Sequence, residues 1–323
     1  MISILGFKAR DSSQNPVPSQ NPFQALFSTQ YPWLSENAFL STTVTTIPWL
    51  GFGTGTALYR QDATSLVKQA LATGVTHLDG AQMYQNEDSL GDGIKASGKD
   101  RSELFITTKL DKLAPGETVK ESLEKSLKKL RIDYVDLFLI HCPLPAADEG
   151  KLLDLWRGME EVQATGLAKS IGVSNFRVED LQTILKSGNV VPAVNQIELH
   201  PYVWKAAKPI YDFDKEHGIR TASYGGLTPI VRAAGGPLDP VLASVRERLE
   251  KTHGAPVSTG QVLTKWLLQK DAVVVTTSSK QSRIQEFLDS ENVPDLEEQE
   301  IQAIEEAGAK LHKRAFMHRV FGE

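Results

Sequence analysis

The sequence predicts a single-domain α/β protein with a closed (β/α)₈ barrel, the TIM-barrel architecture. Short runs rich in β-branched residues alternate with helical patterns, and eight such units over about 250 to 280 residues are typical of this fold. The strand runs are nearly continuous hydrophobics, as expected for parallel strands covered on both faces. An open doubly wound sheet usually begins with a G-x-G-x-x-G turn, and the sequence contains none. These three observations favour the barrel.

The predicted strands are short, apolar and separated by polar segments with helical periodicity. They are 51–54, 75–80, 104–110, 134–141, 168–174, 192–199, 219–225 and 272–277. The helical patterns lie at 62–73, 116–130, 151–164 and 258–269. In 116–130, Leu123 and Leu127 belong to one apolar stripe, and Glu121 and Lys125 form an i,i+4 pair on the polar side. An amphipathic helix is expected there.

The two ends of the chain differ from the repeating middle. Residues 1–41 include a stretch rich in Ser, Gln, Asn and Pro without periodicity, which predicts an irregular N-terminal extension. The first ten residues have a short apolar stretch on the wrong side of the charges for a secretory signal, so we expect no targeting segment. The barrel, with a C-terminal helix and tail, is expected over 42–323. The tail either covers the barrel mouth with Phe316, Met317 and Phe321 or is a frayed basic end.

Composition excludes several classes of protein. The 323 residues carry 35 Lys and Arg against 40 Asp and Glu, a net charge of −5, with no basic cluster, so we expect no nucleic-acid partner. Hydrophobic residues make up 41%, which excludes wholesale disorder. No apolar run approaches the roughly 18 residues of a membrane span, so no membrane partner is expected. The single cysteine, Cys142, excludes a disulfide framework and fits a reducing compartment, so we expect a cytoplasmic protein.

A barrel active site lies at the carboxyl ends of the strands. Each candidate there has an ordinary explanation when it is taken alone: Asp79 as a turn former, Lys109 as a side chain reaching outward, His141 as a core histidine, and Tyr84 as packing near a helix start. Their joint placement on one rim favours a functional site. The predicted strand-end residues are Asp79, Lys109, His141, Ser174, Asn175, Gln196 and Tyr224.

Two classes of hydrolase are disfavoured. The sequence has no G-x-S-x-G elbow, and His141 and Cys142 are adjacent strand residues that should point to opposite faces. A metal-dependent barrel hydrolase needs several strand-end histidines and carboxylates, and only His141 is clearly placed among the histidines. We therefore expect no metal site.

Six ordered motifs resemble the aldo-keto reductase family over about residues 42–290. They are GFGTGT (51–56), GVTHLDGAQMYQNEDSLG (74–91), ITTKL (106–110), DLFLIHCP (136–143), KSIGVSNF (169–176) and NQIELHPY (195–202). The resemblance implies a reductase that delivers hydride from a nicotinamide cofactor to a carbonyl carbon. Tyr84 would be the proton donor, with Asp79, Lys109 and His141 completing a catalytic tetrad. We expect the Lys109 ammonium, held by Asp79, to lower the pKa of the phenol, and His141 to orient the carbonyl.

The resemblance also implies a set of cofactor contacts. Ser174, Asn175 and Gln196 resemble side chains that hydrogen-bond the carboxamide, Tyr224 resembles the aromatic that stacks on the nicotinamide, and Asp79 belongs to the same set. Loop residues that resemble contacts to the cofactor backbone are Gly53, Thr54, Gly225, Gly226, Leu227 and Thr228. A last group would contact the 2′-phosphate region, namely Thr276, Thr277, Ser278, Ser279, Lys280 and Arg283.

The chain departs from the family pattern at this phosphate. Thr277 stands where the family has a phosphate-binding lysine, and Arg283 matches the family's arginine. Our hypothesis is that Lys280 and Arg283, helped by nearby hydroxyls, clamp the 2′-phosphate of NADPH. The alternative is a solvated Lys280 and a shift toward NADH.

The substrate pocket is expected to include Tyr84, His141 and Cys142. Cys142 replaces a common tryptophan and Gly55 a frequent aromatic, which suggests a roomier pocket. The chain is similar to fungal-type NADPH-dependent reductases of conjugated polyketones, α-keto lactones and α-keto amides. We expect a carbonyl reductase acting on small dicarbonyl-type substrates as a monomer rather than a homodimer. The alternative is a non-catalytic nucleotide-binding relative that serves as a sensor or regulatory subunit.

Overall fold

The computed structural model describes residues 47–323, in which eight parallel strands close into a barrel in sequence order, with β1 pairing to β8. The predicted (β/α)₈ barrel is confirmed, and every predicted strand overlaps an observed one. The strands are β1 Leu50–Gly53, β2 His77–Asp79, β3 Phe105–Leu110, β4 Val135–Ile140, β5 Ala168–Ser174, β6 Val194–Glu198, β7 Arg220–Tyr224 and β8 Val273–Thr276. The predicted boundary near residue 41 lies outside the described residues.

Helices follow the strands and cover the outside of the barrel. They are α1 Thr64–Thr73, α2 Glu87–Ser97, α3 Val119–Leu130, α4 Leu152–Ala164, α5 Val178–Leu185, α6 Pro201–Glu216, α7 Thr228–Val231, α8 Asp239–His253, α9 Thr259–Leu268, α10 Gln281–Leu288, α11 Glu298–Gly308 and α12 His318–Phe321. Short 3₁₀ turns lie at Gln82–Tyr84, Arg101–Glu103 and Asp289–Asn292. The four helices predicted from periodicity are α1, α3, α4 and α9, and all are confirmed.

Helix α3 shows how local sequence sets these elements. Thr118 caps its N-terminus: the hydroxyl accepts from the Glu121 amide at 3.1 Å, and the Glu121 carboxylate accepts from the Thr118 amide at 2.8 Å. This reciprocal capping box satisfies two amides that the helix itself leaves unpaired. Leu123 and Leu127 of the predicted stripe are buried against the barrel.

The inside of the barrel is apolar in its lower part and polar at the carboxyl ends. A buried cluster that includes Phe105, Leu137, Leu139 and Val273 is separate from the larger core between strands and helices. Phe105 and Lys109 are four residues apart on β3, so both side chains point to the same face of the strand. Lys109 therefore lies above the apolar cluster, at the end where a barrel active site is expected.

A buried carboxyl group joins α6 to two strands. Asp214 is fully buried, and it accepts hydrogen bonds from the Asn195 amide on β6 at 3.2 Å and from the Thr221 hydroxyl on β7 at 3.0 Å. Burial raises the pKa of Asp214 from 3.8 to about 8, against the opposing effect of these two bonds. The folded protein therefore keeps this carboxyl protonated at neutral pH.

The substitution Asp214→Asn should make the stability less dependent on pH. Between about pH 4 and pH 8 the folded state binds a proton that the unfolded state has lost, so Asp214 reduces the free energy of unfolding as pH rises through this window. Urea unfolding should show that the free energy of unfolding of the variant, relative to that of the wild type, is higher at pH 8 than at pH 5 by on the order of 3 kcal/mol.

The control for this experiment is Asp212→Asn, because Asp212 is half exposed on the same helix and pairs with Lys208. It should leave the pH dependence as it is in the wild type. A difference between Asp214→Asn and the wild type that is equal at both pH values would contradict the buried, protonated state of Asp214.

Candidate active site

The centre of the site is a buried ion pair between neighbouring strand ends. Lys109 on β3 and Asp79 at the end of β2 are 0% and 1% exposed, and Lys109 Nζ lies 2.5 Å from Asp79 Oδ1. The ammonium also donates to the Gly80 carbonyl at 2.9 Å and to the Tyr84 hydroxyl at 3.4 Å. Burial lowers the pKa of Lys109, but attraction to Asp79 and Tyr84 outweighs it and leaves that pKa raised. Lys109 is therefore a cation whose three N–H groups each have an acceptor.

Tyr84 ends the 3₁₀ turn that follows β2, and its hydroxyl oxygen faces the Lys109 ammonium. The expectation that the pKa of this phenol is lowered is wrong. Burial raises the pKa of Tyr84 above its usual 10.0, and Lys109 acts in the predicted direction without overcoming that effect. The sequence shows that a cation is near, but not how completely the phenol is removed from water. Tyr84 is consequently a neutral phenol at physiological pH, which is the form that can donate a proton.

Asn86 and Glu87, two and three residues after Tyr84, hold its turn in place, and neither was predicted. The Asn86 side-chain amide donates to the Thr54 carbonyl at 2.9 Å, which ties the turn to the loop after β1. The buried Glu87 carboxylate accepts from the Thr108 hydroxyl at 2.7 Å, next to Lys109 on β3. The sequence holds no clear signal for them, because Asn86 and Glu87 read as ordinary polar residues of YQNE until their burial is seen in the structure.

Gly55 lies directly against the phenol. A Cβ at position 55 would come 2.8 Å from Tyr84 Cζ and 3.1 Å from its hydroxyl oxygen. A side chain at this position would collide with Tyr84, so the glycine lets the phenol lie against the loop after β1, and the expectation of a roomier pocket stays a prediction. Cys142 is half buried beside His141, and burial raises the pKa of its thiol, so it is a neutral wall residue.

His141 follows β4 and faces Tyr84 from the side. The two ring centroids are 5.4 Å apart with an interplanar angle of 82°. Burial, and then the Lys109 charge, lower the pKa of His141 to about 3, so the imidazole is neutral. Within the described residues its buried Nδ1 has no hydrogen-bond partner. A neutral imidazole offers one donor and one acceptor, so His141 can hydrogen-bond a polar group placed beside Tyr84.

A hydrogen-bonded arc runs from the ion pair across β5, β6 and β7. Gln196 Nε2 donates to Asp79 Oδ2 at 2.8 Å, and the Ser174 hydroxyl donates to the backbone carbonyl of Gln196 at 2.7 Å. Asn175 donates to Ser174 Oγ at 3.0 Å and accepts from the Tyr224 hydroxyl at 2.7 Å. Asn175 has a φ of 61°, a left-handed conformation that Asn tolerates better than most residues. The structure thus brings the predicted carboxamide and stacking residues together.

The predicted cofactor loops lie at the same end of the barrel. Gly53 ends β1, Thr54 donates its amide to the Asp79 carbonyl at 2.9 Å, and Gly225 has a φ of 70° in the turn after β7. The remaining members of this loop are Gly226, Leu227 and Thr228. Together these segments border the Asp79–Lys109 pair and Tyr224.

The predicted phosphate region connects β8 to α10. Thr276, Thr277 and Ser278 are partly buried, whereas Ser279 is exposed. Lys280 is exposed at the N-cap of α10, and within residues 47–323 no carboxylate pairs with it. Arg283 follows one turn later, with its Nε 3.6 Å from a Glu286 carboxylate oxygen. Two accessible cations therefore stand at the start of α10.

The segment 312–323, which we call the tail, is held at the barrel mouth. The amides of Ala315 and Phe316 both donate to the buried Glu198 carboxylate at the end of β6, at 2.9 to 3.1 Å. The Phe316 ring lies edge-on to Tyr224 with centroids 5.7 Å apart. The tail therefore covers the mouth, and the frayed alternative is wrong. Sequence reasoning missed Glu198, although it lies within the motif NQIELHPY.

Among residues 47–323, no group of three or more His, Cys, Asp or Glu side chains is arranged to hold a metal ion. No helix in the same range is long and apolar enough to cross a membrane.

Comparison with known proteins agrees with this geometry. The chain is 39% identical over 274 residues to the NAD/NADP-dependent indole-3-acetaldehyde reductase of Schizosaccharomyces pombe, covering 82% of this chain and 93% of that protein. It is 34% identical to the NADPH-dependent alpha-keto amide reductase of Saccharomyces cerevisiae, covering 84% and 90% of the two chains. A Bombyx mori aldo-keto reductase solved in complex with NADP has a TM-score of 0.71 at 31% identity, covering 81% of this chain and 90% of that chain.

The family model described as the Aldo/keto reductase family matches residues 49–309, nearly the whole of the described barrel. This match includes all four residues of the predicted tetrad and the segments that border them. With the relatives above, which the chain covers almost end to end, it establishes that the chain belongs to the aldo/keto reductase family.

Proposed function

We propose that this protein is an NADPH-dependent carbonyl reductase in which Tyr84 donates the proton. The observation that carries the proposal is the buried Asp79–Lys109 pair with the partly buried Tyr84 against it and neutral His141 facing the phenol. These four groups converge from three strand ends and the turn after β2. A structural ion pair alone would not require a phenol and an imidazole on the same side of it.

The proton transfer follows from the charges around Tyr84. The phenol starts neutral, so it can protonate a carbonyl oxygen placed next to its hydroxyl. The phenolate that remains lies beside the Lys109 ammonium, which stabilises it, and the Lys109 charge is itself fixed by Asp79. The burial that raises the pKa of the phenol in the resting site also strengthens this attraction once charge develops.

His141 has a positioning role in the same reaction. Because its pKa is lowered to about 3, it stays neutral and adds no second cation next to Lys109. Its ring can donate one hydrogen bond to the substrate oxygen and so hold that oxygen beside the Tyr84 hydroxyl. The Asn175 side chain fixes the backbone under the ring by donating to the His141 carbonyl at 2.9 Å.

The residues present fit a nicotinamide cofactor, which would supply the hydride when bound. Tyr224 has a half-buried ring whose hydroxyl is fixed by Asn175, as a stacking platform requires. Gln196 directs its side-chain nitrogen to Asp79, and no hydrogen bond among the described residues uses its side-chain oxygen Oε1. The exposed cations Lys280 and Arg283 at the start of α10 suit a 2′-phosphate, which supports NADPH over NADH.

The proposed substrates are small aldehydes and dicarbonyl compounds, including α-keto amides and α-keto lactones. The relatives are named for indole-3-acetaldehyde, alpha-keto amide and methylglyoxal reduction. Cys142, the expected pocket-wall residue, has a small side chain, and both Cys142 and His141 are uncharged. Uncharged carbonyl compounds fit such a wall without burying an unpaired charge.

The substitution Tyr84→Phe should remove turnover while leaving cofactor binding unchanged, because it deletes only the hydroxyl that carries the proton. We expect kcat to fall by about 10²- to 10⁴-fold with a dicarbonyl panel. Absorbance of the reduced nicotinamide measures turnover, and its fluorescence on titration measures NADPH binding. A kcat within about threefold of the wild type would contradict the role of Tyr84. Wild-type protein that binds NADPH without turning over any substrate of the panel would instead support the non-catalytic alternative.

Replacing Lys280 and Arg283 by Met should separate the two cofactors. Losing two charged contacts to the 2′-phosphate should raise the KM for NADPH by about tenfold or more. The KM for NADH should barely change, because NADH lacks that phosphate. Steady-state kinetics with each cofactor makes the comparison, and Arg157→Met, an exposed cation on α4, is the matched control. Equal effects of the double substitution on both cofactors would contradict the phosphate clamp.

A further inference from the structure

Glu198 is a buried charged group that the reaction does not use. It ends β6 with no exposed surface, and its carboxylate accepts from the Ala315 amide at 2.9 Å and from the Phe316 amide at 2.9 Å. His200 Nε2 lies 2.9 Å from the same group. Burying a carboxylate is unfavourable unless it is fully hydrogen-bonded, and here the main donors come from a segment 117 residues away in the chain. The carboxylate is therefore satisfied only while the tail stays in place.

The tail is also fixed to itself. Glu323 accepts from Arg314 Nε at 2.9 Å and pairs with His312 Nε2 at 2.6 Å. The Arg314 guanidinium carbon lies 4.0 Å from the centroid of the Phe321 ring. These contacts fold the tail into a compact unit in which the Arg314 side chain is only 2% exposed.

From Glu198 the tail extends to residues on both sides of the mouth. The Phe316 ring packs edge-on against Tyr224, the proposed nicotinamide platform, and lies 5.1 Å from the Arg232 guanidinium carbon on the β7 side. Arg319 approaches Asp148, in the loop after β4, at 3.3 Å. The tail reaches buried partners at Glu198 and, through the Lys313 amide, at the Tyr202 carbonyl 3.2 Å away, but Glu198 is the only charged one among these described partners. The Arg319 pair is exposed and contributes little.

Glu198 also lies under the loop after β7. A Cβ at Gly225 would be 3.4 Å from Glu198 Cγ, so the Glu198 side chain lies next to a proposed cofactor loop as well as the tail. We propose that Glu198 is a positioning residue that latches the tail over the mouth and keeps Phe316 against Tyr224. The latched tail then sets which carbonyl substrates reach Tyr84. The part that concerns substrate choice rests on the proposed function, whereas the latch itself does not.

The substitution Glu198→Gln tests the latch without any enzyme assay. A carboxylate accepts from both converging amides, but Gln places an N–H₂ group against one of them. The bond between Arg314 and Ala315 is a trypsin site that the latch protects. We expect trypsin to cut there about tenfold faster in the variant, measured by mass spectrometry relative to cleavage within the barrel in the same digest.

The control for the digest is Glu161→Gln, which changes an exposed carboxylate on α4 and should leave the ratio unchanged. The reference to barrel cleavage separates local release of the tail from general unfolding. An unchanged ratio in Glu198→Gln would overturn the latch, whatever the enzyme does.

A double-mutant cycle with Phe316→Ala tests the link to substrate choice. In the full chain, Glu198→Gln should change the ratio of kcat/KM between a bulky α-keto amide and methylglyoxal by about fivefold or more. In the Phe316→Ala background the same substitution should have almost no further effect, because it acts through the position of Phe316. An equal effect in both backgrounds would overturn this step. Absence of wild-type turnover would contradict the proposed function, while the digest would still decide the latch.

Discussion

The buried pair of Asp79 and Lys109 is the interaction on which the rest of the site depends. Taking two such ions out of water costs several kcal/mol each, and only close geometry with further hydrogen bonds offsets that cost. The structure supplies these bonds through the Gly80 carbonyl, the Gln196 amide and the Tyr84 hydroxyl. The Gln196 side chain is therefore oriented by the need to satisfy this pair, and the rest of the polar arc continues from Gln196 through Ser174 and Asn175 to Tyr224. The site is preorganised because leaving either ion unpaired would be strongly unfavourable.

The same pair explains the protonation states around it. Lys109 stays charged because Asp79 and Tyr84 outweigh its burial, and that charge contributes to the low pKa of His141. In the proposed reaction Tyr84 and His141 thus begin neutral, Tyr84 as the proton donor and His141 as a hydrogen-bond donor. In that reaction the negative charge left behind by the proton would fall on Tyr84, next to a cation that is already fixed. Stabilisation aimed at developing charge contributes most to catalysis in a site that excludes water.

The sequence predicts this arrangement well where chain topology determines it. Strands of a parallel barrel all end on one rim, so Asp79, Lys109 and Gln196 could be placed together from periodicity alone. The direction in which the pKa of Tyr84 is shifted could not be predicted, because it depends on how far the surrounding residues desolvate the phenol. The steric clash between a side chain at position 55 and Tyr84 likewise depends on the path of the turn that carries Tyr84.

Contacts made by backbone amides were also beyond sequence reasoning. Glu198 binds the amides of Ala315 and Phe316, and amides have no side-chain signature by which a distant partner could be recognised. The tail could therefore be read either as a cover or as a frayed end until its position was known. The predicted extension at residues 1–41 lies outside the described residues and stays a prediction.

The most direct test of this account is the titration of Tyr84 in the cofactor-free enzyme, followed by NMR of tyrosine labelled with ¹³C at the ζ carbon. The Tyr84 signal is assigned by its loss in Tyr84→Phe. In the wild type we expect it to keep the neutral position beyond pH 10.0, the usual pKa of the group, because burial raises the pKa of Tyr84. In Lys109→Met the pKa of Tyr84 should rise further, since the cation that opposes burial is gone. A wild-type midpoint below 10.0, or one that Lys109→Met leaves unchanged, would contradict control of this proton by the buried pair.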